Sequence, residues 1–117
     1  MIITNTLASA STSGSNSTIV RFYVHYATIP YQNVLLVGSS VKLGEWDIKK
    51  AVKMGMTSDF VWQTEVEFST SEDTVEYKYV VIDESNNSVF WEGGENRIIS
   101  LKEHKGPLEF RDTWRVR

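Results

Sequence analysis

"TIVRFYVHY", residues 18–26, alternates apolar side chains with more polar ones. One of the two alternating sets is almost wholly apolar: Val20, Phe22, Val24 and Tyr26. A repeat of two residues is typical of a β-strand, because successive side chains of a strand point to opposite faces of the sheet. The stretch therefore predicts a strand that buries one face in a core.

The same period returns along the chain, most clearly in "WQTEVEF" at 62–68 and "TVEYKYVVI" at 74–82. In the latter, one face is predicted to carry Val75, Tyr77, Tyr79 and Val81, and the other Glu76, Lys78, Val80 and Ile82. Only 41–54 breaks the rhythm, and it is predicted to be a loop with one helical turn. The remaining predicted strands are 33–39, 89–92, 97–101 and 108–114. About seven short strands without a helical period predict an all-β fold, an antiparallel β-sandwich.

The composition bounds the class of protein. A chain of 117 residues fits one domain, and 41% hydrophobic with 23% charged residues is typical of a globular protein. The net charge is -3 and the basic residues are scattered, which disfavours nucleic acid and anionic membrane surfaces as partners. No apolar run is long enough to span a bilayer.

Catalytic and metal-binding motifs are missing. The chain has no cysteine, no Gly-Xaa-Ser-Xaa-Gly and no His-Glu-Xaa-Xaa-His. A glycosidase would need two carboxylates flanking the bond it cleaves, such as Glu45 with Asp47 or Glu92 with Glu95. Among fifteen acids, however, close pairs are inevitable. No catalytic residue, metal or cofactor is therefore predicted. The absence of cysteine favours an intracellular setting and is also compatible with secretion.

The first eighteen residues differ in composition from the rest. Residues 1–18 are mostly Ser, Thr, Asn, Ala and Gly, which predicts a flexible arm or linker. The folded domain is accordingly predicted over 19–117.

Aromatic residues are the one compositional excess, with four Trp, five Tyr and five Phe. Trp62 opens an alternating strand and is predicted to be core. Trp46 lies in the polar loop "LGEWDIKK", where it can either cover the sheet edge or stand exposed. Phe90 and Trp91 are neighbours on a strand and must face opposite sides, so Phe90 is predicted to enter the core and Trp91 to face outward. A partly buried Trp91 is the alternative.

An exposed tryptophan among polar side chains suits sugar binding. The apolar face of a pyranose stacks on the indole ring, and the hydroxyls around its rim bond to Asn, Lys and Glu side chains. Two such rings set at an angle would match the curved surface of a helical glucan.

Four motifs, in order, resemble a known family. "VLLVGSSVKLGEWD" at 34–47, "VEYKYVVID" at 75–83, "VFWEGGENR" at 89–97 and "DTWR" at 112–115 resemble the starch-binding domains of carbohydrate-binding module family 20. The resemblance covers about residues 19–115. It implies an immunoglobulin-like sandwich of seven or eight strands without catalytic activity. Its implied ligands are α-1,4-glucans such as starch, glycogen, maltodextrins and cyclodextrins.

The resemblance also implies site residues. The family's first site has two tryptophans, a lysine and an asparagine, which fall on Trp46, Trp91, Lys78 and Asn96. Glu92 is adjacent and is expected to accept a sugar hydroxyl. The second family site has a tyrosine before the "VLLVG" strand, the region of Tyr31. Its second tyrosine has no counterpart, and only three side chains nearby could supply an apolar surface: Met54, Met56 and Phe60.

The predicted function is noncatalytic binding of α-glucan, which would target a covalently attached catalytic domain to polysaccharide. The alternative is a protein-interaction sandwich that uses exposed Trp46 and Trp91 as a hot spot.

Overall fold

The computed structural model describes residues 17–102 and 106–116. These residues form nine strands: β1 (Ser17–His25), β2 (Gln32–Gly38), β3 (Val52–Lys53), β4 (Gly55–Met56), β5 (Val61–Ser69), β6 (Thr74–Asp83), β7 (Ser88–Trp91), β8 (Arg97–Ser100) and β9 (Leu108–Thr113). Three short 3-10 turns connect them: Val41–Leu43, Ile48–Lys50 and Ser58–Phe60.

The strands form two sheets. One has the order β4-β5-β1-β9, and the other has the order β3-β2-β6-β7, with β8 also paired to β6. The predicted all-β sandwich is confirmed. One pairing departs from the antiparallel prediction, because β9 runs parallel to β1, with Val20 opposite Leu108. The two-residue strands β3 and β4 raise the count above the predicted seven or eight.

The core lies between the sheets, as the alternation predicted. Val20, Phe22 and Val24 of β1 are buried. The Phe22 ring meets Tyr77 of β6 edge to face, with ring centroids 5.0 Å apart. Trp62 is 5% exposed, which confirms its predicted core position. Its indole Nε1 donates a hydrogen bond to the Tyr26 carbonyl at 3.2 Å, so the polar end of this buried ring is satisfied.

Strand β2 lacks alternation because both of its faces are covered. Val34 and Leu36 point into the core between the sheets. Leu35 and Val37 point outward and pack with Val80 of β6. These three residues form what we call the outer cluster. Five side chains pack on or beside it: Trp46, Ile48, Ala51, Ile82 and Trp91.

Two residues of the predicted arm belong to β1. Ser17 and Thr18 are the first residues of β1, opposite Ser69 and Phe68 of β5, and Thr18 is buried. The predicted arm otherwise lies outside the described residues. Within the described ranges, no helix is long and apolar enough to cross a membrane.

The predicted loop at 41–54 contains two helical turns rather than one. Ser40 caps the first by accepting a hydrogen bond from Lys42 N at 3.1 Å, and Asp47 caps the second by accepting one from Lys49 N at 2.9 Å. The first turn places Leu43 in the core between the sheets, and the second packs Ile48 and Ala51 beside the outer cluster.

Candidate functional site

Trp46 is placed by an unusual backbone segment. Gly44 has φ +83°, and a Cβ there would lie 2.7 Å from the Lys50 backbone, so glycine is required. Trp46 itself adopts φ +68°, which is rare for a bulky residue. Its backbone N–H donates to the Gly38 carbonyl at 2.8 Å, at the end of β2. This bond directs the Trp46 ring onto the outer cluster.

Trp91 reaches the same cluster from the other side. It lies opposite Val80 in the β6–β7 hairpin and shares the outward face of the sheet with it. The hairpin turn begins at Asp83, whose carboxylate accepts hydrogen bonds from Ser85 N at 2.9 Å and Ser85 Oγ at 2.5 Å. These bonds lower the pKa of Asp83.

The structure brings together the two tryptophans that the sequence singled out. The centroids of the Trp46 and Trp91 rings are 6.4 Å apart, and their planes are inclined by 38°. Both rings are half-buried, because their inner faces rest on the outer cluster. Trp91 lies on the outward side of the sheet, as predicted. Its ring is partly buried there, as the alternative prediction had it.

The prediction that Phe90 enters the core is wrong. Phe90 lies opposite Val81, a core residue, and therefore does point to the inner side of the sheet. It is nevertheless 46% exposed. Strand β7 is the outermost strand of its sheet, so the core between the sheets does not cover this ring.

An interruption in the edge strand forms the polar half of the site. Strand β7 ends at Trp91, opposite Val80, and β8 begins at Arg97, opposite Tyr77. Glu92 N still donates to the Tyr79 carbonyl at 3.1 Å, but Lys78 has no partner in β7 or β8, and the loop of residues 93–96 crosses this gap. Lys78 lies opposite Val37, on the side of the sheet that carries the outer cluster.

Lys78 and Asn96 flank the tryptophans on that side. Asn96 is exposed, and its Nδ2 donates to Glu76 Oε1 at 2.9 Å. Glu76, Lys78 and Val80 share one side of β6, so Asn96, Lys78 and Trp91 lie in a row along the strand. Within the described ranges, Lys78 forms no salt bridge, and its side chain is half-buried.

The prediction that Glu92 accepts a sugar hydroxyl is contradicted by its burial. Glu92 is 1% exposed. Its Oε1 accepts a hydrogen bond from the Tyr79 backbone N–H at 3.1 Å. The carboxylate thus replaces the backbone carbonyl that a continuous edge strand would offer to Tyr79. A buried charge is costly unless it is paired, so the Glu92 carboxylate requires neighbouring cations.

Two arginines neutralise this carboxylate. Arg97 binds it with two hydrogen bonds, Nε to Oε1 at 3.0 Å and Nη2 to Oε2 at 2.9 Å. Arg115 Nε reaches Oε2 at 3.3 Å. Burial by itself lowers the pKa of Arg97, but hydrogen bonds and charge from Glu92 outweigh it and raise that pKa. Glu92 is thus a structural anion beneath the site.

The same network extends to the C-terminal strand. Asp112 lies 3.4 Å from Arg97 Nη1 and accepts hydrogen bonds from the hydroxyls of Tyr77 and Tyr79 at 2.6 and 2.7 Å. Burial, reinforced by Asp112, raises the pKa of both tyrosines. The hydroxyls therefore remain proton donors, and they fix Asp112 beneath the sheet.

Tyr31 lies well away from the tryptophans. It precedes β2, while Trp46 bonds to Gly38 at the other end of that strand, about 20 Å along the chain direction. Tyr31 is 69% exposed and lines an open groove with Ile29, Met56 and Phe60. Met54 is buried in the core and does not reach this groove.

Three residues around the first site were not singled out from the sequence. Glu76 holds Asn96, and Arg97 and Arg115 hold Glu92. A signal for Glu92 was present, because it lies two residues after Phe90 and so shares its inward parity. For the part of the chain that the structure describes, no group of three His, Cys, Asp or Glu side chains could hold a metal ion.

A family model described as "Starch binding domain" matches residues 17–109. Two curated relatives are 4-alpha-glucanotransferase DPE2 of Oryza sativa subsp. japonica, 30% identical, and Glucoamylase-1 of Arthroderma benhamiae, 33% identical. The matches cover 85% and 82% of this chain but 11% and 16% of those proteins. The chain thus spans about a tenth to a sixth of the length of these curated relatives.

A solved structure shows the same fold. It is the family 20 carbohydrate-binding module of the maltotetraose-forming amylase from Pseudomonas saccharophila STB07, with a TM-score of 0.62 and 23% identity. The similarity covers 79% of this chain and 99% of that one, so the fold corresponds to a whole module.

Proposed function

The chain belongs to the family of starch-binding domains, carbohydrate-binding module family 20, and on this premise we propose that it holds α-1,4-glucan on the face formed by Trp46, Trp91, Lys78 and Asn96. Modules of this family bind glucan without catalysing its breakdown.

The geometry of the two tryptophans carries this proposal. Planes inclined by 38° with centroids 6.4 Å apart present a bent apolar surface. A chain of α-1,4-linked glucose units curves, so adjacent rings of the sugar can each rest on one indole. The inner faces of both indoles pack on the outer cluster, which holds the surface in shape before the ligand arrives.

Polar groups beside the tryptophans orient the sugar by hydrogen bonds. The Lys78 ammonium donates hydrogen bonds, and the Asn96 amide oxygen accepts them while Glu76 holds its Nδ2. Sugar hydroxyls can bond to both. Glu92 is left out of the ligand contacts because its carboxylate is buried.

A second glucan contact is proposed at the groove of Tyr31. Ile29, Tyr31, Met56 and Phe60 are 62%, 69%, 52% and 41% exposed, an unusual concentration of apolar surface. Tyr31 and Phe60 both have left-handed backbone, with φ of 73° and 59°. Residues with strained backbone cluster at ligand and active sites. Phe60 and Met56 would stand where the family has its second tyrosine.

We further propose that the full protein carries a glucan-active domain joined to this one. The relatives are a glucanotransferase and a glucoamylase, and this chain matches only a small part of each. Two contacts on one polymer would raise the effective concentration of the attached domain at its substrate.

Titration with β-cyclodextrin tests the binding function. We expect tryptophan fluorescence to change with a saturable dependence on sugar, since Trp46 and Trp91 lie at the site. Soluble starch should yield no new reducing ends. Absence of any response at millimolar sugar, from a folded domain, would favour the protein-interaction alternative, and release of reducing ends would favour a hydrolase.

The second groove is tested by the stoichiometry of binding. Calorimetry should give two β-cyclodextrin molecules per chain, falling to one in Tyr31→Ala or Phe60→Ala. Val116→Ala is the matched control, because Val116 is 86% exposed and does not line the groove. A stoichiometry of one in the unaltered chain, with no change in Tyr31→Ala, would contradict the second contact.

A further inference from the structure

Arg115 contacts the loop of residues 93–96, which borders the proposed glucan-binding face. Its side chain is 36% exposed and extends from the C-terminal segment towards the loop of residues 93–96. Arg115 Nη2 donates to the Glu95 carbonyl at 2.5 Å. Its own carbonyl accepts the Gly93 N–H at 2.7 Å. Two hydrogen bonds thus tie the loop to this one residue.

The close contact between Gly94 and Arg115 leaves room in the loop only for a planar group such as the guanidinium. Gly94 has φ +80°, and a Cβ added there would lie 3.0 Å from Arg115 Cζ and Nη1. The guanidinium plane therefore lies directly against the loop backbone. Any other residue at 94 would both strain the backbone and push the guanidinium away.

Glu92 fixes the other end of the guanidinium. Its buried carboxylate receives Arg115 Nε at 3.3 Å and is itself immobilised by Arg97 and the Tyr79 backbone. Arg115 thus bridges a rigid anion in the sheet and a carbonyl in the loop. A lysine has one nitrogen in place of this fork and cannot span both.

The loop carries Asn96 into the ligand site. Asn96 directly follows Glu95, whose carbonyl Arg115 holds, and the Asn96 side chain bonds Glu76 at 2.9 Å. From this geometry we infer that Arg115 is a positioning residue of the glucan-binding face. It acts through the loop to hold the Asn96 amide where a sugar hydroxyl can reach it. The inference rests on the proposed glucan binding.

A double-mutant cycle with β-cyclodextrin tests this role. Arg115→Ala should weaken binding by about 3- to 10-fold, the effect of losing one well-placed hydrogen bond. In an Asn96→Ala background, the same change should weaken binding less than about 2-fold, because a residue that acts through Asn96 has nothing left to position. Arg115→Lys should fall between Arg115→Ala and the unaltered chain.

Arg111→Ala provides the control. Arg111 lies in β9, four residues before Arg115, but it pairs with Glu109, and its guanidinium Cζ lies 4.2 Å from the centre of the Tyr23 ring, on the other sheet. Its removal should leave affinity unchanged. The exciton signal of the Trp46–Trp91 pair in circular dichroism should also be unchanged in Arg115→Ala, because the outer cluster holds both rings.

The outcomes separate this inference from the function on which it rests. Equal losses of affinity from Arg115→Ala in the two backgrounds, or no loss in either, would overturn the positioning role while glucan binding stands. A collapsed exciton signal would show that Arg115 supports the whole face and would also overturn the specific role. Failure of the unaltered chain to bind β-cyclodextrin would overturn both.

Discussion

Trp91→Ala is expected to weaken β-cyclodextrin binding by about 5- to 150-fold, or about 1–3 kcal/mol, by analogy with the loss of one aromatic platform for a stacked base. Trp46→Ala should do the same, because the two rings form one bent surface, 6.4 Å between centroids. Calorimetric titration of each variant measures the effect. Neither indole can replace the other, since each would stack on a different glucose unit.

Phe90→Ala is the matched control for Trp91→Ala. The two residues are neighbours on β7, yet Phe90 points to the opposite side of the sheet. Its truncation should change affinity less than about 2-fold, within the range of a residue outside the interface. Equal losses in Phe90→Ala and Trp91→Ala would contradict the assignment of the site to the Trp91 side.

The same truncations should have a measurable cost in stability. Trp46 and Trp91 are half-buried on the outer cluster, so each should lower the free energy of unfolding by about 1–2 kcal/mol, part of the value of burying a large apolar side chain. Urea denaturation therefore has to accompany the binding measurements. The domain should remain folded in both variants.

Trp62→Ala should have the opposite profile, with a large loss of stability. Trp62 is 5% exposed among core side chains from both sheets. Its removal leaves a cavity and an unpaired Tyr26 carbonyl, so we expect the free energy of unfolding to fall by about 3–5 kcal/mol. Many domains have only about 5–15 kcal/mol in total, so Trp62→Ala approaches unfolding.

Urea denaturation of Trp62→Ala and Trp62→Phe measures this effect. Trp62→Phe keeps a ring in the core but loses the indole N–H, and it should cost clearly less than Trp62→Ala. A loss below about 1 kcal/mol in Trp62→Ala would mean that the site collapses or that Trp62 is not a core residue. Affinity for β-cyclodextrin at the first site should persist in Trp62→Phe.

Much of this architecture was predictable from local patterns. The period-two alternation identified the inward residues of β1 and β6, because a strand with one buried face alternates apolar and polar side chains along the sequence. The same parity separated Trp91 from Phe90. It also turned Lys78 away from the core between the sheets, which is where the structure places it. Parity said nothing of Trp46, because that residue lies in a loop, and its covering and exposed positions both stayed open.

The interior of the site was not predictable in the same way. Parity alone would turn Glu92 inward with Phe90. However, Glu92 follows an outward tryptophan and precedes two glycines, a context that is typical of an exposed loop. Its burial depends on Arg97 and Arg115, which lie 5 and 23 residues further along the chain. Contacts between residues from different strands and segments depend on the topology of the sheets, which the local sequence pattern does not predict. The parallel pairing of β9 with β1 escaped prediction for the same reason.

Edge position explains the remaining difference. The alternation of a strand predicts which side of the sheet a side chain points to, but not whether its strand lies at the centre or at the edge of the sheet. Phe90 has the inward parity of a core residue, yet it lies on the outermost strand and is half exposed. The short apolar stretch of β7 does not by itself distinguish an edge strand from a central one.

The interruption between β7 and β8 has a consequence for solubility. An uninterrupted strand beside the ten residues of β6 would present a long row of free backbone donors and acceptors, on which a second chain could pair and start an aggregate. Instead, the edge consists of two four-residue pieces separated by a loop. A second copy of the chain therefore meets only short stretches of free backbone groups at this edge, which limits pairing between copies.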